Sequence, residues 1–105
     1  MEVYMKQHGL SPEEVSMRLE ALNDGSISPW RVDQETLKKE FLFKSFNAAF
    51  GFMTRVAIKA ETVDHHPQWL NVYGRVDVTL TTHDAGGITD QDFSMAEFMD
   101  KISGL

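Results

Sequence analysis

Apolar residues along the chain recur with two periods, helical and alternating, and the switches between them mark out seven elements. Residues 1–9 show neither period and read as a loose or extended lead-in. A helix follows. Val15, Leu19 and Leu22 fall on one face, with Glu13, Arg18 and Glu20 mostly off it. Ser11 can cap it, Pro12 suits the first position, and Glu14 completes a Ser-x-x-Glu capping box. Leu10 and Val15 are placed as a hydrophobic staple, and Asn23-Asp24-Gly25 ends the element. Two strands come next. Trp30-Arg31-Val32 is a short one, and Asp33-Gln34-Glu35 supplies a turn. From Thr36, Leu37, Phe41 and Phe43 alternate with Lys38, Glu40 and Lys44, while Lys39 and Leu42 blur the pattern.

Ser45 caps a second, longer helix running to about Thr62 or Asp64. Phe46, Phe50, Met53, Ala57 and Ala60 make one stripe, and Ala48, Phe52, Val56 and the Lys59 stem make another. A helix apolar on two sides needs cover on both. In so small a domain the sheet can supply only one cover, so the second face is expected to meet another subunit. The alternative is a central helix flanked by helices one and three.

Pro67 pushes its predecessor towards extended geometry and is expected to close the helical region. Residues 69–73, a Gly74-Arg75 turn and residues 76–82 then form a hairpin, in which Val76, Val78 and Leu80 alternate with Asp77, Thr79 and Thr81. Ala85-Gly86-Gly87 reads as a flexible loop. Ile88, Thr89, Asp92 and Phe93 repeat the staple-and-box start, with Asp in place of Glu. The last helix runs to about Ile102 and buries Phe93, Ala96, Met99 and Ile102. The order αββαββα predicts an α+β domain with a four-stranded antiparallel sheet and three helices packed on one face.

Composition narrows the reading. At 105 residues the length suits a single domain over residues 1–105. Sixteen acidic residues against ten basic give a net charge of −6, with no basic stripe to track a phosphate backbone. Direct nucleic-acid binding is not expected. No apolar run approaches the ~20 residues of a membrane span. The amino terminus lacks the basic-then-apolar build of a signal peptide. Cysteine is absent, which removes disulfides, thiolate nucleophiles and Cys-ligated zinc. A soluble cytoplasmic protein is expected.

Candidate chemistry is crowded between Glu61 and Asp92, where three of the four histidines lie. Adjacent histidines on one helix point about 100° apart, and on one strand they face opposite ways. A switch at Pro67 lets His65 stay helical while His66 becomes extended, so both rings can line one mouth. Glu61, one turn before His65, is placed to hold that ring's tautomer. His83, at a strand end beside the glycines, can face them. Imidazole is suited to proton transfer near neutrality, and no serine, cysteine or lysine partner suggests covalent catalysis. A three-histidine zinc site is the competing reading. Adjacent ligands strain that geometry and no carboxylate cluster completes it, so no metal is expected. Any one of these histidines taken alone is as well explained as a surface or structural residue. Asp92 reads as a helix cap, Trp69 as core or pocket wall, and His8 has no role.

Glu61-x-x-x-His65-His66-Pro67-x-Trp69-x-Asn71-Val72-Tyr73, followed by Thr82-His83-Asp84-Ala85-Gly86-Gly87-Ile88-Thr89-x-x-Asp92, resembles the pterin-4a-carbinolamine dehydratases, known in animals as dimerisation cofactors of a homeodomain transcription factor. Phe46-Asn47-Ala48-Ala49-Phe50-Gly51-Phe52-Met53-Thr54-Arg55-Val56-Ala57 resembles the family's long helix. The likeness runs from about Trp30 to Ile102, with Ile88 where leucine is common. It implies loss of water from 4a-hydroxytetrahydropterin to give quinonoid dihydropterin, with no metal and no organic cofactor. It also implies that His65 and His83 share the acid and base roles, that His66 orients the pterin and can share the acid role as a third catalytic residue, and that Glu61 tunes His65. Substrate contacts are implied at His65, His66, Pro67, Thr82, His83, Asp84 and Ala85, with Glu61, Trp69 and Asp92 beside them. A homotetramer built on the long helices is implied too. So is a coactivator role through a protein partner, which would add a nuclear location.

Overall fold

The computed structural model describes residues 8–105. Most of the expected lead-in therefore lies outside the described residues; His8 and Gly9 are exposed and irregular. The first helix, α1 (Pro12–Asn23), begins as its sequence requires. Ser11 Oγ accepts from the Glu14 amide at 3.1 Å, and Glu14 Oε1 accepts from the Ser11 amide at 2.8 Å. Leu10, Val15, Leu19 and Leu22 pack on the core from this side.

Four strands form one antiparallel sheet in the order β1-β2-β4-β3. They are β1 (Arg31–Asp33), β2 (Thr36–Leu42), β3 (Gln68–Val72) and β4 (Arg75–Leu80). Gln34 and Glu35 close the first hairpin with φ of 51° and 63°, left-handed values that match the strand twist. The second hairpin turns one residue earlier than expected. Val72 pairs with Arg75, so the loop is Tyr73-Gly74, and Tyr73 takes the left-handed conformation at φ 50°. Gly74 is needed for close approach, because a Cβ there would lie 2.3 Å from the Phe43 carbonyl oxygen.

One face of the sheet carries the core. Leu37, Phe41, Val76, Val78 and Leu80 are buried on it, and Lys39 shares that face. Its ammonium bonds Asp100 Oδ1 at 2.8 Å and lies 4.7 Å above the Phe41 ring. The alternation of β2 is thus unbroken: Lys39 points inward and Leu42 outward.

The long helix, α2 (Phe46–Val63), is capped by Ser45, whose hydroxyl accepts from the Ala48 amide at 3.0 Å. Its buried residues are Ala49, Phe52, Val56 and Ala60. This arc takes members from both expected stripes and adds Ala49. Phe52 wedges between Phe41 and Phe43, with ring centroids 4.8 and 4.9 Å away. Phe46 and Phe50 lie on a neighbouring strip, half exposed, with their rings in tilted contact at 5.6 Å. Ile58 lies further round and is also exposed. The last helix, α3 (Asp90–Ser103), buries Phe93, Met95, Ala96 and Met99, with Ile102 partly covered. The α+β order αββαββα is as expected. Among the described residues no helix is long and apolar enough to cross a membrane.

Candidate functional site

The site begins where α2 stops. Asp64 adopts the left-handed conformation at φ 54°, and both its amide and that of His65 reach back to the Ala60 carbonyl. Such a left-handed cap ends a helix by satisfying its last carbonyls. The helix therefore ends at Val63, and His65 lies outside it. Pro67 follows in the irregular segment that leads into β3, after the helix has already ended. With the helix gone, the expected Glu61–His65 pairing fails. Glu61 Oε1 instead meets His66 Nε2 at 2.6 Å, in a pair with both side chains more than half exposed.

His65 turns inward and is almost fully covered. Its Nε2 lies 2.6 Å from Oδ1 of Asp92, 27 residues away in the first turn of α3. Asp92 is fully buried. Its second oxygen, Oδ2, accepts from the Thr89 amide at 2.9 Å and from the Thr82 hydroxyl at 2.8 Å. The expected capping box is present, and it occupies only one carboxylate oxygen. The other is left for the histidine. A carboxylate ringed by donors acts as acceptor, so His65 Nε2 carries a hydrogen and Nδ1 is the nitrogen left to exchange protons.

The residues around His83 are ordered by hydrogen bonds, in contrast to the flexible loop expected there. A single 3-10 turn spans His83–Ala85, and Gly86 closes it at φ 71°. Such a φ suits glycine because it has no Cβ. Thr82 and Gly87 bond each other in both directions, at 2.9 and 3.3 Å. His83 and Asp84 are exposed on this turn, and Ala85 is half-buried. Trp69 packs on the core from β3, and Pro67 is half-buried.

The structure thus joins His65, Asp92 and Thr82 directly. His66 and His83 are the next residues along the chain from His65 and Thr82, so both flank this junction. The apolar groove between α1 and the 85–88 turn touches Ala85, Gly86 and Gly87 and none of the histidines. Among the described residues, no group of three or more His, Asp or Glu side chains is arranged to hold a metal ion. Thr89 belongs to the network and was not singled out by sequence beyond its capping role. The His65–Asp92 pairing was missed as well, because nothing local signals a partner 27 residues away.

What the buried pair can do chemically is hold one imidazole in a single orientation and tautomer while leaving its far nitrogen for acid–base work. The His66–Glu61 pair repeats the arrangement in solvent.

Comparison with known proteins bears on the family of the chain. The family model of pterin 4 alpha carbinolamine dehydratase matches residues 8–102. A protein of Burkholderia vietnamiensis with the provisional name pterin-4-alpha-carbinolamine dehydratase is 50% identical over 95 residues, covering 90% of each chain. A Bordetella avium protein of the same provisional name is 56% identical over 90 residues, or 86% of this chain and 81% of that one. The crystal structure of a transcriptional coactivator/pterin dehydratase from Brucella melitensis superposes with a TM-score of 0.84 at 46% identity, covering 92% of this chain and all of that one. From the α+β frame, the double-histidine segment and these matches, the chain belongs to the pterin 4 alpha carbinolamine dehydratase family.

Proposed function

We propose that this protein dehydrates 4a-hydroxytetrahydropterin to quinonoid dihydropterin by histidine acid–base catalysis. The reaction removes hydroxide from C4a and a proton from N5, leaving a C4a=N5 double bond and one water. It needs an acid at the departing hydroxyl and a base at N5, and no redox partner. His65 and His83 take these two roles, and His66 orients the pterin. Asp92 takes the tuning role expected of Glu61, while Glu61 steadies His66.

The observation that carries this reading is the buried His65–Asp92 contact. A histidine in contact with a fully buried carboxylate is well suited to returning to one geometry after each proton transfer. The test is a coupled or stopped-flow assay on freshly generated 4a-hydroxytetrahydropterin. His65→Ala and His83→Ala should each lower the rate by about 10²–10⁴-fold, the usual range for a lost acid or base. Undiminished dehydration in both folded variants would sink the reading.

The exposed aromatic strip of α2 supports a second element. Phe46, Phe50 and Ile58 present apolar surface that a homotetramer would cover, helix against helix. The same strip is the surface on which a coactivator role through a protein partner would rest. Sedimentation separates the two: a tetramer that never exchanges subunits leaves no strip for another partner.

A further inference from the structure

We propose that Thr82 is a positioning residue that ties His65 and His83 into one unit, and that its hydroxyl does not contact the substrate. The inference rests on the dehydratase reading for its activity arm, but its geometry stands independently. Every polar group of Thr82 is engaged with protein. Its amide donates to the Gly87 carbonyl at 2.9 Å, and its own carbonyl accepts from Ala85 at 3.1 Å and Gly87 at 3.3 Å. These three bonds shape the turn that carries His83. The side chain looks the other way, into the interior, and the residue is buried.

A hydroxyl has one hydrogen to give. Thr82 spends it on Asp92 Oδ2 at 2.8 Å. The 2.8 Å contact between the Thr82 and Thr89 hydroxyls must then run from Thr89 to Thr82. Thr89 is free to donate, since its oxygen already accepts from the Gln91 amide at 3.2 Å. A directed relay results, from Thr89 to Thr82 to Asp92, ending on the carboxylate that holds His65 Nε2. Remove the Thr82 hydroxyl and Asp92 loses one of its donors while Thr89 loses its acceptor. The carboxylate can then rotate about its remaining bonds, and the His65 ring with it.

The resemblance to the pterin dehydratases places Thr82 among substrate contacts, so the two roles differ in what they predict. Loss of a contact present in both ground and transition states raises KM, whereas loss of positioning lowers kcat with KM little changed. Thr82→Val keeps the shape and removes the hydroxyl; Thr82→Ser keeps the hydroxyl. In the full-length protein, Thr82→Val should lower kcat by about 10–100-fold with KM within about threefold, and Thr82→Ser should recover most of that loss. Proton NMR gives a readout free of substrate. Wild type and Thr82→Ser should show a discrete downfield His65 Nε2–H signal, and Thr82→Val should lose it to exchange with water.

A rise in KM at unchanged kcat would overturn the proposal, as would a Thr82→Ser variant as impaired as Thr82→Val. Should Thr82→Val fail to fold, Thr82→Ala at reduced temperature takes its place in the same comparison. If wild type proves inactive on the pterin while the NMR signal follows the hydroxyl, the dehydratase reading fails and the positioning role survives. If wild type is active and Thr82→Val matches it in rate and spectrum, the reverse holds.

Discussion

His65 and Asp92 meet at 2.6 Å, joining the end of the long helix to the start of the last one, and they do so almost out of contact with water. His66, its immediate neighbour, makes a bond of the same length with Glu61 in the open. The two pairs share their chemistry and differ in burial and in the Thr82 and Thr89 donors that hold Asp92. These differences should separate their mutants.

Replacing His65 with Ala leaves a buried carboxylate short of one donor, which costs about 1–3 kcal/mol. Replacing His66 with Ala breaks a solvated pair and should change stability by less than about 0.5 kcal/mol. Urea denaturation of the two variants, run side by side, checks the asymmetry. Equal losses would mean that the buried contact is not formed in solution.

Asp92→Asn is the sharper test of the carboxylate. The amide keeps its size but turns one acceptor oxygen into a donor that must face Thr82 and Thr89, or else His65. The first choice sets its hydrogens against the Thr89 amide; the second makes His65 Nε2 the acceptor and moves the ring's hydrogen to Nδ1, the wrong tautomer for the proposed proton transfer. Stability should fall by about 1–3 kcal/mol and the dehydration rate by about 10–100-fold, measured by denaturation and by the pterin assay.

The exposed strip on α2 can be tested by charge. Phe46→Asp together with Phe50→Asp places two carboxylates where two neighbouring rings now sit. If subunits associate there, sedimentation should show the double variant dissociated, with the helical signal in circular dichroism unchanged. An unchanged oligomer would move the interface elsewhere.

Lys39 gives an asymmetric pair of variants. Its ammonium is buried against Phe41 and bonds Asp100, which also accepts from Trp30 Nε1 at 3.0 Å. Asp100→Ala strands the charge and should cost about 2–4 kcal/mol, towards the lower part of the range for a broken buried pair because Asp100 is partly exposed. Lys39→Met removes the charge and leaves Asp100 bonded to Trp30, so it should be nearly neutral. Thermal denaturation decides between them.

Local signals were legible in the sequence. Both capping boxes, at Ser11–Glu14 and Thr89–Asp92, formed as their spacing requires, because a box depends on residues three apart. The alternation of Val76, Val78 and Leu80 likewise held, since one buried face dictates it. Local rules fail where a break in the backbone intervenes. The Glu61–His65 pairing assumed helix as far as His65, but Asp64 is a non-glycine residue at positive φ, and nothing in its neighbours announces that. Tyr73 misled the hairpin reading for the same reason. The core-facing arc of α2 was blurred by a helix apolar over more than its buried side, so periodicity alone could not choose Ala49 over Phe50. Asp92 reads as a cap, which it is; that its spare oxygen serves His65 depends on how α2 and α3 pack.

Asp92 also has a consequence for the order in which the molecule becomes competent. All four histidines precede it in the chain, yet His65 gains its partner only when the final helix docks. A nascent chain that has emerged only as far as Gly87 carries every imidazole and none of the orienting carboxylate. The His65 ring is thereby left without its partner until synthesis reaches the last element. In this protein the oriented imidazole is a late readout of completed folding.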